Sequence, residues 1–190
     1  ILAQAVALNT ETTSRVARKT GDALDAANVN EAVDKYTYEG NPTECALLKL
    51  IDEMDLPADE VRRNPAFASA AGSSLDWGVF RVPFSSSRKR MSWVVPHPTI
   101  PGGFRLFTKG APAYIFASCT SVWTPGGGSK PFSADARASV DAAVEDFQRG
   151  AMRTLALAYR DFPAGVPVGG WDAPVPGASP AAAASPDTLR

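Results

Sequence analysis

Histidine occurs once in the 190 residues, cysteine twice, and neither sign of charge prevails. One imidazole, His97, cannot make a coordination sphere. Cys45 and Cys119 stand far apart with no CxxC pair, which argues against both a zinc site and a disulfide framework and fits a reducing cytosolic setting. Nineteen Lys plus Arg balance twenty Asp plus Glu to a formal charge of -1, so no global field draws the chain to nucleic acid or to an anionic membrane. Any recognition of an anion has to be local. No apolar run approaches the roughly 20 residues that cross a bilayer, and "ILAQAVAL" at the start lacks a basic region and a cleavage pattern. The chain also starts without Met in the middle of an apolar helical pattern, so a soluble piece of a longer protein is expected.

What is present suits a single core: 45% of residues are hydrophobic, enough to fold one sizeable domain. Residues 1–8 read as a short apolar helix, and 9–39 as a polar surface excursion made of loops; a second excursion is expected over 55–75. Between them lies "GNPTECALLKLIDEM". Asn41 is placed to cap a helix, Pro42 to open it and Glu44 to stand at its third position, and Leu47, Leu50, Ile51 and Met54 recur at helical spacing.

From residue 77 the pattern changes to short runs rich in Val, Phe and Trp, "WGVFRVPF", "MSWVV" and "FRLFTKG", which read as antiparallel strands. "PHPTIPGG", residues 96–103, carries three prolines and two glycines and should be an exposed hairpin connection holding His97 in an incidental or structural role. Pro112 can open a short helix over "AYIFASC". A longer helix should run from a Ser133 cap with Val140, Ala143, Val144 and Phe147 on one face and Gly150 just past its end. "MRTLALAYRDF", 152–162, returns to strand. Residues 163–190 are Pro, Ala and Gly with few large apolar side chains; they cannot offset their ordering entropy and are expected to be disordered. The expected architecture is α+β, a twisted antiparallel sheet flanked by helices within residues 1–162.

Several side chains admit two readings when taken singly. Glu44 completes a capping box or meets a ligand; Phe84 at a strand end belongs to a core or offers a ring; Arg88, Lys89 and Arg90 form a solvated turn or a cationic patch; Lys109, before Gly110, is an exposed lysine or a pocket cation.

Four motifs, "GNPTECALL" (40–48), "PFSSSRKRMS" (83–92), "FTKGAP" (107–112) and "MRTLALAYRDF" (152–162), occur in one order and spacing. Together they resemble the nucleotide-binding (N) domain of type II P-type cation-transporting ATPases, nearest to calcium pumps of the plasma-membrane type, over about residues 40–163. The resemblance implies ATP, with Mg2+, as ligand. Phe84 would stack on adenine, Glu44 would meet its edge, Lys89, Lys109 and Gly110 would line the pocket, Arg153 would approach phosphate or ribose, and Thr43 counts among the binding residues. An aromatic face suits a purine, since such stacking is worth about 1–3 kcal/mol, and Gly110 lets backbone and ligand approach.

Ser86 stands where some relatives of the sarcoplasmic-reticulum kind carry a phosphate-contacting arginine, and Arg88 is a candidate to replace it. Ala113 stands where an acidic residue is common. The phosphorylated DKTGT motif is absent, and "RKTGD" at 18–22 lacks its leading aspartate. The piece is therefore expected to bind ATP and present its γ-phosphate to an aspartate elsewhere, without being catalytically competent alone. The resemblance further implies phosphorylation and actuator domains of the same parent chain as partners, Ca2+ moved by a membrane domain, a cytosolic position on an integral membrane protein, and no nucleic acid. A stand-alone, non-catalytic nucleotide-binding or regulatory module is the alternative; a soluble phosphohydrolase lacks a supporting DxD pair.

Overall fold

The computed structural model describes residues 1–19, 35–69 and 75–165, divided into two compact units, Ile1–Gly78 and Val79–Arg190. Most of the expected disordered tail, 166–190, and parts of both excursions, 20–34 and 70–74, lie outside the described residues.

The first unit is built on α1 (Leu2–Ala7) and α2 (Pro42–Glu53). Its start follows the caps seen in the sequence: Asn41 Oδ1 accepts from the Thr43 and Glu44 N–H groups, and Pro42 takes the position where no N–H is needed. The buried stripe is displaced from the expected one. Cys45, Leu48 and Ile51 face inward, whereas Leu50 and Met54 are exposed. Within 9–39, where loops were expected, Arg15–Arg18 (β1) pairs antiparallel with Tyr36–Glu39 (β2). The 55–75 excursion also has structure, α3 (Ala58–Arg63) and a 3-10 turn, Pro65–Phe67, that buries the Phe67 ring. The end of α1 is held twice. Arg62 Nε donates to the Ala7 carbonyl (3.0 Å), Trp77 Nε1 donates to that of Leu8 (2.8 Å), and the Arg62 guanidinium lies 4.6 Å from the Trp77 ring centre.

The second unit is organised by a four-stranded antiparallel sheet in the order β3 (Phe80–Ser85), β4 (Arg90–Pro96), β5 (Phe104–Gly110), β8 (Ala156–Phe162). One face carries an apolar cluster of Val94, Leu106 and Phe162 with Phe80 and Phe104 against it. The other carries Trp93, Phe107 and Tyr159, consistent with the alternation along each strand. A short helix α4 (Pro112–Phe116) follows β5, then a small hairpin of β6 (Ser121–Trp123) and β7 (Ser129–Pro131), an addition to the expected strands whose turn is "TPGGG".

The β4–β5 connection is fastened by the lone histidine. His97 Nδ1 accepts from the N–H groups of Thr99 and Ile100 (3.1 and 3.0 Å), and its Nε2 lies 3.3 Å from Asp161 Oδ2 and 3.2 Å from Arg105 Nη2. Arg105, paired across the ladder with Asp161, bonds both of its carboxylate oxygens. Burial pushes the Asp161 carboxyl up, but the hydrogen bonds and charge of Arg105, joined by His97, outweigh it and hold the group below its ordinary value.

Helix α5 (Ala134–Arg149) starts at Ser133, whose hydroxyl accepts from the Ala136 N–H. No residue of the helix is buried, and on its apolar face Phe147 is exposed. Its end also differs. Gly150 has φ -77 and the left-handed residue is Ala151, φ 57. Met152 N–H reaches the Phe147 carbonyl and Ala151 N–H that of Gln148, the two bonds of a Schellman ending with alanine where glycine is favoured.

Ala151→Gly is therefore expected to raise stability by about 1 kcal/mol, because the left-handed conformation costs an alanine about that much, as read from chemical denaturation midpoints. A carboxyl whose folded pKa lies below its unfolded one gives stability that is present above the unfolded pKa and lost as pH falls through the folded one. The wild-type chain should thus lose stability more steeply than Asp161→Asn below about pH 3.8, and thermal melts across that range decide it.

Candidate functional site

The motif residues divide between the two units. Thr43 and Glu44 stand in the first turn of α2 in the first unit. Glu44 is 4% exposed, and its Oε2 accepts from Ser14 Oγ (2.6 Å) and the Glu11 N–H (3.2 Å). Ser14 Oγ in turn accepts from the Asn41 N–H (3.2 Å). The capping box foreseen between Asn41 and Glu44 is thus relayed through a serine from an earlier segment, which local spacing could not reveal.

Phe84, Arg88, Lys89, Lys109, Gly110 and Arg153 all belong to the second unit. The topology brings them to one end of its sheet. The turn between β3 and β4, the last residues of β5 and the approach to β8 coincide there, because Arg90 pairs with Gly110 and Gly110 with Ala156.

The register explains how Phe84 comes to face outward. Val82 pairs with Ser92 and Ser85 with Arg90, so two residues on β3, Pro83 and Phe84, oppose the single Met91. This is a β-bulge, and Pro83, which has no N–H for the ladder, sits in it. Unbroken alternation would set Phe84 in line with Phe80 and Val82, on the face of the apolar cluster. The inserted residue shifts the phase by one. Phe84 falls in step with Met91, and through the pairs Met91 with Lys109 and Lys109 with Leu157 it shares a face with Lys109. The ring is 58% exposed, whereas Lys109 on the central strand is 6% exposed.

The turn beside it is stitched to the end of β5. Lys89 takes a left-handed φ of 54, its N–H donates to the Ser85 carbonyl (2.7 Å), and its own carbonyl accepts from the Ala111 N–H (3.0 Å). Gly110 permits this approach. A Cβ there would overlap the Lys89 carbonyl oxygen and come within 2.8 Å of the Arg90 Cα. Arg88 leans back across the turn and its Nη2 donates to the Pro83 carbonyl (2.7 Å). Burial and the neighbouring Arg90 charge push its pKa down, yet a guanidinium remains charged near neutral pH. Ser85 and Ser87 hydroxyls share a hydrogen bond (2.7 Å).

Arg153, exposed, lies just before β8 at the rim of a groove of about 430 Å³ between α5, Pro112 of α4 and residues 152–155. Among the described residues no group of three or more His, Cys, Asp or Glu is placed to hold a metal ion, and no helix is long and apolar enough to cross a membrane. The end of the sheet therefore offers an exposed ring and two exposed cations, Lys89 and Arg153, a set suited to a flat ligand bearing negative charge.

Residues 18–179 match the family described as P-type ATPase, cytoplasmic domain N. The chain belongs to that family. The four-stranded antiparallel sheet with its helices is the fold expected of an N domain, and the α+β reading of the sequence agrees with it. Among similar proteins, calcium-transporting ATPase PAT1 of Dictyostelium discoideum is 37% identical over 67% of this chain. Plasma membrane calcium-transporting ATPase 1 of Homo sapiens is 34% identical over 71%, and ATPase 4 of that name in Bos taurus 34% over 70%. Each match covers 10% of the relative, so the N domain spans about a tenth of the curated proteins it resembles.

The close approach at Gly110 yields a direct expectation. Gly110→Ala should destabilise the second unit by about 1–3 kcal/mol, the range for overpacking a tight site. Its largest amide shift changes should fall at Lys89, Arg90 and Ala111, as seen in heteronuclear spectra.

Proposed function

We propose that this N domain binds the adenosine part of an adenine nucleotide at the bulged end of its four-stranded sheet, as the ATP-binding portion of a calcium-transporting pump. The observation that carries the reading is the exposed Phe84 ring, set by the bulge on the face of Lys109 beside the Lys89 turn. A purine stacked on that ring gains about 1–3 kcal/mol. Lys89 and Arg153, both exposed at this end of the sheet, supply local positive charge to a domain that is otherwise nearly neutral.

Mg2+ enters held by the nucleotide's own phosphates and lowers their charge density; the residues here need supply no cage for it. The γ-phosphate is then presented to an aspartate on another domain of a longer parent chain, where positioning and electrostatic support carry the phosphoryl transfer. In that reading the parent is an ion-translocating ATPase in a membrane, this domain lies on its cytosolic side, and phosphorylation and actuator domains are its partners.

Phe84→Ala should weaken ATP binding about tenfold, equivalent to about 1.4 kcal/mol, while leaving the melting temperature almost unchanged, because the ring is exposed. Isothermal titration with ATP reads the first quantity and calorimetric melting the second. An unchanged affinity would remove the ring from the site.

A further inference from the structure

The sequence suggests Arg88 as a phosphate contact, but its geometry assigns it a different task. We propose that Arg88 is a positioning residue for Phe84: by holding the Pro83 carbonyl from across the turn, it fixes the β-bulge that keeps the ring on the ligand face. The inference rests on the nucleotide reading above and adds to it the device that orients the stacking surface.

Three observations lead there. The guanidinium Nη2 is 2.7 Å from the Pro83 oxygen, a contact spanning five residues of sequence. Pro83 belongs to the two-against-one step that puts Phe84 out of phase with Phe80 and Val82. A bulged residue leaves ladder groups without their regular partners, and Pro83 cannot donate at all, so an external donor to its carbonyl stabilises the local backbone where the ladder cannot. The bulge could otherwise relax. A slip of one residue on β3 would restore unbroken alternation and turn Phe84 toward the face of the Val94 and Leu106 cluster, because register and side-chain face are linked with period two.

The charge of Arg88 is also set apart from a phosphate role by its direction. One arm of the guanidinium is committed to the hairpin's own backbone, and the side chain is half-buried, whereas adjacent Lys89 is exposed. The planar fork of arginine suits this use, since a fixed donor geometry holds a backbone carbonyl better than a flexible ammonium.

The test compares adenosine, which has no charge, with ATP, using amide shift titrations of the whole chain. For Arg88→Gln, affinity for both ligands should fall by the same factor, about three- to tenfold. In a Phe84→Ala background the same substitution should have no further effect on ATP, because residues acting through one another do not add. A loss for ATP alone would make Arg88 a phosphate contact and overturn the proposal, as would no loss for either ligand or independent losses in the double variant. If the Gln chain does not fold, Arg88→Met, which keeps the stem and removes every donor, is read by the same comparison. A wild-type chain that binds neither ligand overturns the nucleotide reading and this inference together; wild-type binding with an ATP-only loss overturns this inference alone.

Discussion

The candidate site depends on one extra residue in one strand. A regular β3 would spend Phe84 on the apolar face already occupied by Phe80, Val94 and Leu106, leaving the end of the sheet without an aromatic surface. The bulge at Pro83 and Phe84 reverses that choice at the cost of ladder hydrogen bonds, and the neighbouring turn supplies replacements. The Arg88 donor to Pro83 and the Lys89 N–H to Ser85 both close the hairpin from within.

The same turn is bound to the next motif along the chain. Lys89, in a left-handed conformation, gives its carbonyl to the Ala111 N–H, and the absence of a side chain at Gly110 is what allows the two backbones to meet. The stretches "PFSSSRKRMS" and "FTKGAP" are therefore one structural object, although residues 93–106 of the hairpin lie between them. Their joint occurrence in the sequence has a physical reason: each supplies the backbone partner of the other. The exposed Phe84 ring and the cations of this turn are thereby held together at one end of the sheet.

Much of the fold was legible where the signal is local. Asn41, Pro42 and Glu44 mark the start of α2, Ser133 that of α5, and the Pro and Gly of 96–103 the β4–β5 connection. Legibility fails where the deciding partner is distant. The pairing of β1 with β2 joins segments with mostly exposed side chains, so no alternating pattern announced it. The relay from Asn41 through Ser14 to Glu44 depends on a serine some thirty residues away. Helix α5 shows the converse: its apolar spacing at Val140, Val144 and Phe147 is genuine, yet burial of such a face is not a property of the helix alone. The bulge itself could not be read, since Val-Pro-Phe-Ser fits a regular edge strand equally well; only the register with Ser92 and Arg90 reveals it.

The most direct measurement is an amide and aromatic shift titration of the wild-type chain with MgATP. Perturbations confined to Phe84–Ser92, Lys109–Gly110 and the surroundings of Arg153, with intermolecular Overhauser contacts from the Phe84 ring to adenine protons, are the predicted result. Saturable binding that perturbs other residues, with no contact from the ring to the base, would contradict the assignment of this sheet end as the nucleotide site.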